Sequence, residues 1–177
     1  MAAINAAQIA ARLAAGDLGN SAEKGQALEA VVADTFCRLD GVGLIRTNIE
    51  DNAGSLEIDI LLWNQRHPDG LPFLPTHLVI ECKNWQAPVD AATLTIFTGK
   101  LRKFRAEFGI LVAANGITGN AQLLNAAHAH LRHVFDRDGM IVIVLTREEI
   151  ETLTTTEELG AIIREKYGLS IMGAEQF

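Results

Sequence analysis

The spacing of hydrophobic and polar positions changes period several times along the chain, and each change marks a new element. Over residues 3–15, alanines, isoleucine and leucine alternate with Asn5, Gln8 and Arg12 in the manner of an amphipathic helix, ending near Gly16 and Gly19. A second helix over 22–39 places Leu28, Val31, Val32, Thr35, Phe36 and Leu39 on one stripe before Gly41 and Gly43 stop it. Period two then takes over, predicting strands at 42–49, 55–64 and 76–83. The last two are joined by QRHPDGLPFLP, whose prolines and glycine read as a loop.

Asp90 is placed to cap a helix running to residue 107, with Leu94, Phe97, Leu101, Phe104 and Phe108 as its buried stripe. The run GILVAA then predicts a buried strand, 120–135 a helix and 140–146 a last strand. Thr146 with Glu149, Thr154 with Glu157 and Thr155 with Glu158 are capping-box spacings, which makes the tail 147–170 helical. The order α-α-β-β-β-α-β-α-β-α predicts an α/β fold: one domain over 1–177, with a central mixed sheet of about five strands and helices on both faces.

Within that pattern, two strands carry charges where covered sheet faces should be apolar. In SLEIDILLW, strict alternation sends Leu56, Ile58, Ile60 and Leu62 to one face and Glu57, Asp59 and Leu61 to the other. In HLVIECKNW, Leu78, Ile80 and Cys82 share a face, and Glu81 and Lys83 share the opposite one. A hairpin register exists that sets Asp59 beside Glu81 and Lys83. A solvated sheet face would be the ordinary explanation, but helices on both sides should cover these strands. Buried carboxylates and an ammonium must then pair with one another or hold a metal to offset their desolvation. Two carboxylates suit Mg²⁺, and a lysine beside them can stabilise charge developing on a phosphate.

Composition changes this picture in two places. The 177 residues suffice for a core without disulfides, and Cys37 and Cys82 have neither metal-type nor redox-type spacing, so the cytoplasm is the expected compartment. No apolar run is long enough to span a bilayer, and the alanine-rich start lacks the continuous apolar stretch of a signal peptide. The net charge of −7 argues against broad phosphate tracking, so any nucleic-acid contact must come from a local basic patch.

The dense basic cluster is Lys100, Arg102, Lys103 and Arg105, readable either as a phosphate grip through Lys100 and Lys103 or as a solvated helix face. Trp85, just past the acidic strand, can line a nucleic-acid groove or sit half-buried in the core. His128, His130 and His133 cannot converge on one zinc from a single helix, since residues two apart diverge by about 200°; they read as surface or interface histidines. The Cys82 thiol points away from the charged face and reads as inert. Asn115-Gly116-Ile117-Thr118-Gly119 reads as a turn and cap, because it lacks the P-loop lysine and the GxGxxG spacing.

An aspartate on one strand and ExK on the next, after a helix bearing a glutamate, resembles the PD-(D/E)xK restriction-endonuclease-like nuclease superfamily. The stretches Lys24-Gly25-Gln26-Ala27-Leu28-Glu29, Glu57-Ile58-Asp59-Ile60 and Val79-Ile80-Glu81-Cys82-Lys83-Asn84-Trp85 are most similar to its Mrr-type branch. The likeness spans Lys24 to Ala114 and implies an αβββαβ core. It also implies that Asp59, Glu81 and the main-chain carbonyl of Cys82 hold Mg²⁺, with Mn²⁺ as a substitute, that Lys83 is the catalytic lysine, and that Glu29 completes the site. The implied activity is DNA endonuclease in restriction or phage defence.

Ile58 stands where the superfamily's name has proline, the QxxxY motif of RecB-like exonucleases is missing, and no DNA-recognition domain accompanies the core. Target choice would fall to a homodimer or a partner protein. The competing readings are a non-catalytic nucleic-acid- or protein-binding module on the same fold, and a Holliday-junction-resolvase-like enzyme.

Overall fold

The computed structural model describes residues 2–50, 57–120 and 126–173. Two helices open the chain, α1 (Ala6–Asp17) and α2 (Ser21–Phe36), followed by strands β1 (Val42–Glu50), β2 (Glu57–Asn64) and β3 (His77–Lys83). Then come α3 (Ala91–Lys103), β4 (Phe108–Ala113), α4 (Ala126–Asp138), β5 (Ile141–Leu145), α5 (Arg147–Thr152) and α6 (Thr156–Met172). Leu56 and residues 121–125, which the sequence assigns to a strand and a helix, lie outside the described residues.

Helix starts follow local chemistry. Asn5 caps α1, accepting from the Gln8 amide. Asn20 and Glu23 close a capping box on α2, Thr146 and Glu149 one on α5, and Thr155 and Glu158 one on α6. Of the two overlapping boxes at the tail, Thr155 is the cap, while Thr154 bonds Glu158 from outside.

The five strands form one sheet in the order β1-β2-β3-β4-β5. β1, β2 and β3 are antiparallel neighbours, whereas β3, β4 and β5 run parallel. One face packs Ile60, Leu62, Leu78, Ile80, Cys82, Ile110 and Val112 under Leu28, Val32 and Phe36 of α2, with α1, α5 and α6 adding to the same core. The other face packs Val79, Leu111, Ala113, Val142 and Val144 against Leu94, Phe97 and Leu101 of α3 and Ala127, Leu131 and Val134 of α4. Both faces are therefore covered, as a sheet with a parallel half requires. Among the described residues no helix is long and apolar enough to cross a membrane.

Three expectations are corrected. The α3 helix ends at Lys103, not near 107: the Ala106 amide bonds the Leu101 carbonyl and the Arg105 amide that of Arg102, a Schellman closure with Arg105 left-handed at φ 54°. Phe104 is consequently 38% exposed and Phe108 opens β4, so neither extends the buried stripe. Ile58 joins the core under α3 and α4, away from Ile60 and Leu62. The β2–β3 ladder stops at the Ile60–Ile80 pair, and past that point β2, no longer paired to β3, does not keep the alternation. His128 is buried and not at the surface.

α3 lies close to the sheet because the second residue of β4, Gly109, has no side chain beneath it. A Cβ at Gly109 would stand 2.6 Å from Leu101 Cδ1 and 2.9 Å from Phe97 Cζ. At the far end of the hairpin, fully buried Asn64 donates through Nδ2 to the carbonyls of Leu71 (2.9 Å), Leu74 (3.3 Å) and Pro75 (3.1 Å), fastening the proline-rich loop.

Candidate active site

Where the β2–β3 ladder ends, a side chain continues it. Asp59 Oδ2 accepts from the Cys82 amide at 2.7 Å, a bond that a strand carbonyl would otherwise supply. This holds Asp59 beside the residues flanking Cys82. Lys83 Nζ lies 2.8 Å from Glu81 Oε1 and 3.7 Å from Asp59 Oδ2, so the ammonium stands within reach of both carboxylates. Asp59 and Glu81 are only 8% and 4% exposed. The hairpin thus brings together the three residues singled out from strand alternation, in the register that sequence alone left open.

A fourth charge completes the cluster. Lys100, from α3, is 8% exposed and places Nζ 2.8 Å from both Glu81 oxygens. The basic cluster on α3 therefore divides: Arg102, Lys103 and Arg105 are exposed, while Lys100 turns into the protein and does not share their face. Its charged neighbours obscured this in the sequence. The available signal was its place three residues after Phe97, on the flank of the buried stripe.

Glu29, on α2, approaches from the other side. Burial, then the charges of Asp59 and Glu57, push its carboxyl above the ordinary range, against opposing pulls from Lys83 and a hydrogen bond with Asn48. Glu29 thus feels the same charges as the hairpin site, and Glu57 itself is exposed at its margin. Burial and then Glu81 likewise raise Asp59, although the Cys82 amide, Lys83 and Lys100 pull the other way. Burial disfavours the Lys83 charge, but the charge and hydrogen bond of Glu81, with Asp59, outweigh it and hold this ammonium above its usual value. Cys82 is raised well above an ordinary thiol by burial and the nearby carboxylates, which keeps it protonated and unreactive, as expected from its facing. Among the described residues, no three His, Cys, Asp or Glu groups are gathered into a ready metal-holding set.

Beyond Lys83 the chain enters a cleft of about 430 Å³ lined by Asp17, Lys24, Asn84, Trp85, Gln86, Ala114, Asn115 and Arg147. Asn84 Nδ2 donates to the Lys24 carbonyl at 3.0 Å, and Asn115 Nδ2 to the Trp85 carbonyl at 2.6 Å, so both loops at its edge are tied down. Trp85 is 46% exposed and lines this cleft; it is not a core tryptophan. The segment 115–119 is a turn bridging back to Val89, in keeping with its reading as a turn. The histidines stay apart in role: His130 Nε2 lies 2.9 Å from Thr98 Oγ1 and docks α4 on α3, while His133 is exposed.

A family model described as restriction endonuclease, Mrr_cat, matches residues 21–152. No curated protein and no solved structure matches the chain. The matched span runs from the first turn of α2 to the end of α5 and contains Glu29, Asp59, Glu81, Lys83 and Lys100. By that match over most of its length, and with a five-stranded mixed sheet flanked by helices, the chain belongs to the Mrr-type restriction endonuclease family.

Proposed function

We propose that the protein is a divalent-cation-dependent endonuclease that hydrolyses phosphodiester bonds in DNA, working in the cytoplasm in restriction or phage defence. The observation that carries this reading is the meeting of Asp59, Glu81 and Lys83 where the β2–β3 ladder parts. The donors there are hard oxygens, and burial together with the Glu81 charge makes the Asp59 carboxylate costly to keep ionised, a cost that a cation would offset. Asp59, Glu81 and the main-chain carbonyl of Cys82 would hold Mg²⁺, or Mn²⁺ in its place, with Glu29 completing the set from α2. When bound, the cation supplies Lewis-acid polarisation of the phosphate and lowers the pKa of a water.

The protein's own groups do the rest. Lys83 stays charged between the two carboxylates and offers a compact positive charge to the phosphate as its oxygens gain negative charge. Asp59, by gripping the Cys82 amide, fixes the strand segment on which Glu81 and Lys83 are carried. The cleft beyond Lys83 gives the strand a path: Trp85 presents a face for base stacking, and Lys24 lies at its edge. Lys103, exposed on α3, would supply a phosphate contact. With a net charge of −7, the protein has little general attraction for DNA, which favours target choice by a second copy or a partner protein.

Incubating the protein with supercoiled plasmid, linear DNA and RNA in Mg²⁺ or Mn²⁺ tests the assignment, with Asp59→Ala and Lys83→Ala as controls. Plasmid nicking that is abolished in both variants is expected. Cleavage that persists equally in both would remove the site. Failure to cut any substrate, with no cation uptake by calorimetry, would leave a non-catalytic binding module.

A further inference from the structure

Glu81 is served by two ammonium groups, and only one of them lies on its own strand. Lys83 meets Oε1 alone, whereas Lys100 reaches both oxygens at 2.8 Å from a helix packed over the sheet. Burying this second amine costs desolvation and side-chain entropy unless the pairing compensates. Its position is built in: Gly109 lets α3 settle onto β4, and Leu101, the neighbour of Lys100, makes that close approach. The charges also balance. Asp59 and Glu81 carry two negative charges, and Lys83 and Lys100 carry two positive ones. To Glu81, Lys100 offers what a hard cation would: a compact positive charge facing both oxygens.

We propose that Lys100 is a positioning residue that keeps the cation's place at Glu81, holding the carboxylate aligned and yielding it when a divalent cation binds. This rests on the cation-dependent reading given above and adds to it the residue that sets cation affinity. An ammonium that must be displaced weakens cation binding, and it keeps the buried carboxylate compensated until the cation arrives. Once released, Lys100 leaves the site with two cations' worth of lysine charge beside an incoming phosphate.

Calorimetric titration with MnCl₂ and thermal unfolding in EDTA or in saturating MnCl₂ test this on the full chain, Lys100→Gln and Lys100→Arg. Lys100→Gln should bind Mn²⁺ about tenfold more tightly, the lower end of the range seen when groups around a metal ligand are changed, with the sign reversed. It should melt several degrees lower in EDTA and regain most of that loss in Mn²⁺. Lys100→Arg, which keeps the charge, should stay near the parent in both measurements. An unchanged Mn²⁺ affinity in Lys100→Gln, with the same melting deficit in EDTA and Mn²⁺, would make the pair merely structural and overturn the proposal.

Should Lys100→Gln fail to fold, the ammonium resonances of ¹⁵N-lysine-labelled parent protein serve instead, assigned with Lys100→Arg. The Lys100 signal should move or broaden as MgCl₂ is added, and a signal indifferent to Mg²⁺ in a protein that binds it would overturn the proposal. Absence of cation binding in every protein would fell the cation-dependent reading itself, a different result from binding that ignores Lys100.

Discussion

The two ends of the β2–β3 pair are built on opposite rules. At one end Leu62 faces Leu78 in a regular ladder, both side chains are fully buried, and Asn64 ties the connecting loop to three carbonyls. At the other end the ladder stops, a carboxylate takes over an amide, and charges are buried in place of methyl groups. The closed end can stabilise the fold because nothing there is left uncompensated. The open end buries carboxylates and ammoniums whose pairing at best offsets their desolvation, so it is a poor place to gain stability.

The sharpest break in that comparison is expected from the open end. Lys83→Ala should lower the cleavage rate by about 10²–10³-fold, the scale set by losing one preorganised electrostatic group. Asp59→Asn should lose cleavage as well, with a melting temperature at neutral pH no lower than the parent's, since it removes a carboxylate held above its ordinary pKa by burial and Glu81. Plasmid-nicking rates and calorimetric melting, measured on the same preparations, separate the two effects.

The closed end should behave in reverse. Leu78→Ala is expected to cost about 2–5 kcal/mol in urea unfolding while the folded fraction keeps its cation affinity. Asn64→Ala should cost about 1–3 kcal/mol, from the carbonyls left without their donor. Gly109→Ala should cost about 1–3 kcal/mol by overpacking α3 against the sheet. It should also disturb the open end through Lys100, so cation affinity by calorimetry should move along with urea stability.

The smallest change is expected away from both ends. Burial lowers the pKa of His128 and His130, so the folded state takes up their protons later than the unfolded chain does as the solution is acidified. Their contribution to stability should therefore be complete above pH ~6.5 and decline as pH falls below that value. Urea titrations at pH 7.5 and 5.5 would detect this loss as the difference between the parent and a variant with both histidines replaced by glutamine.

What could be read in the sequence follows how local each cause is. Asn20 with Glu23, Thr146 with Glu149 and Thr155 with Glu158 act across three residues, so their spacings show directly. Glu81 and Lys83 share a strand, and alternation paired them before any register was known. The meeting of Asp59 with Cys82 spans 23 residues and depends on where a ladder stops, which no period encodes. Ile58 broke the alternation for that same reason. The end of α3 was hidden because Arg105 occupies the left-handed position where glycine usually announces a helix stop. Lys100 was masked by Arg102, Lys103 and Arg105, whose charges suggested one exposed face where the helix has two.

Cys82, finally, divides its duties between its backbone and its side chain. Its amide belongs to the charged cluster through Asp59, while its side chain joins the apolar core on the opposite side of the sheet, beside its strand partner Val112. The middle letter of the ExK motif is thus free to drift under the taste of an apolar core. Alanine, valine or serine-sized residues would leave the bond to Asp59 in place, and proline is the one substitution that deletes the bond by deleting the hydrogen. Variation at this position would be governed by packing neighbours wholly different from those that govern the letters on either side of it.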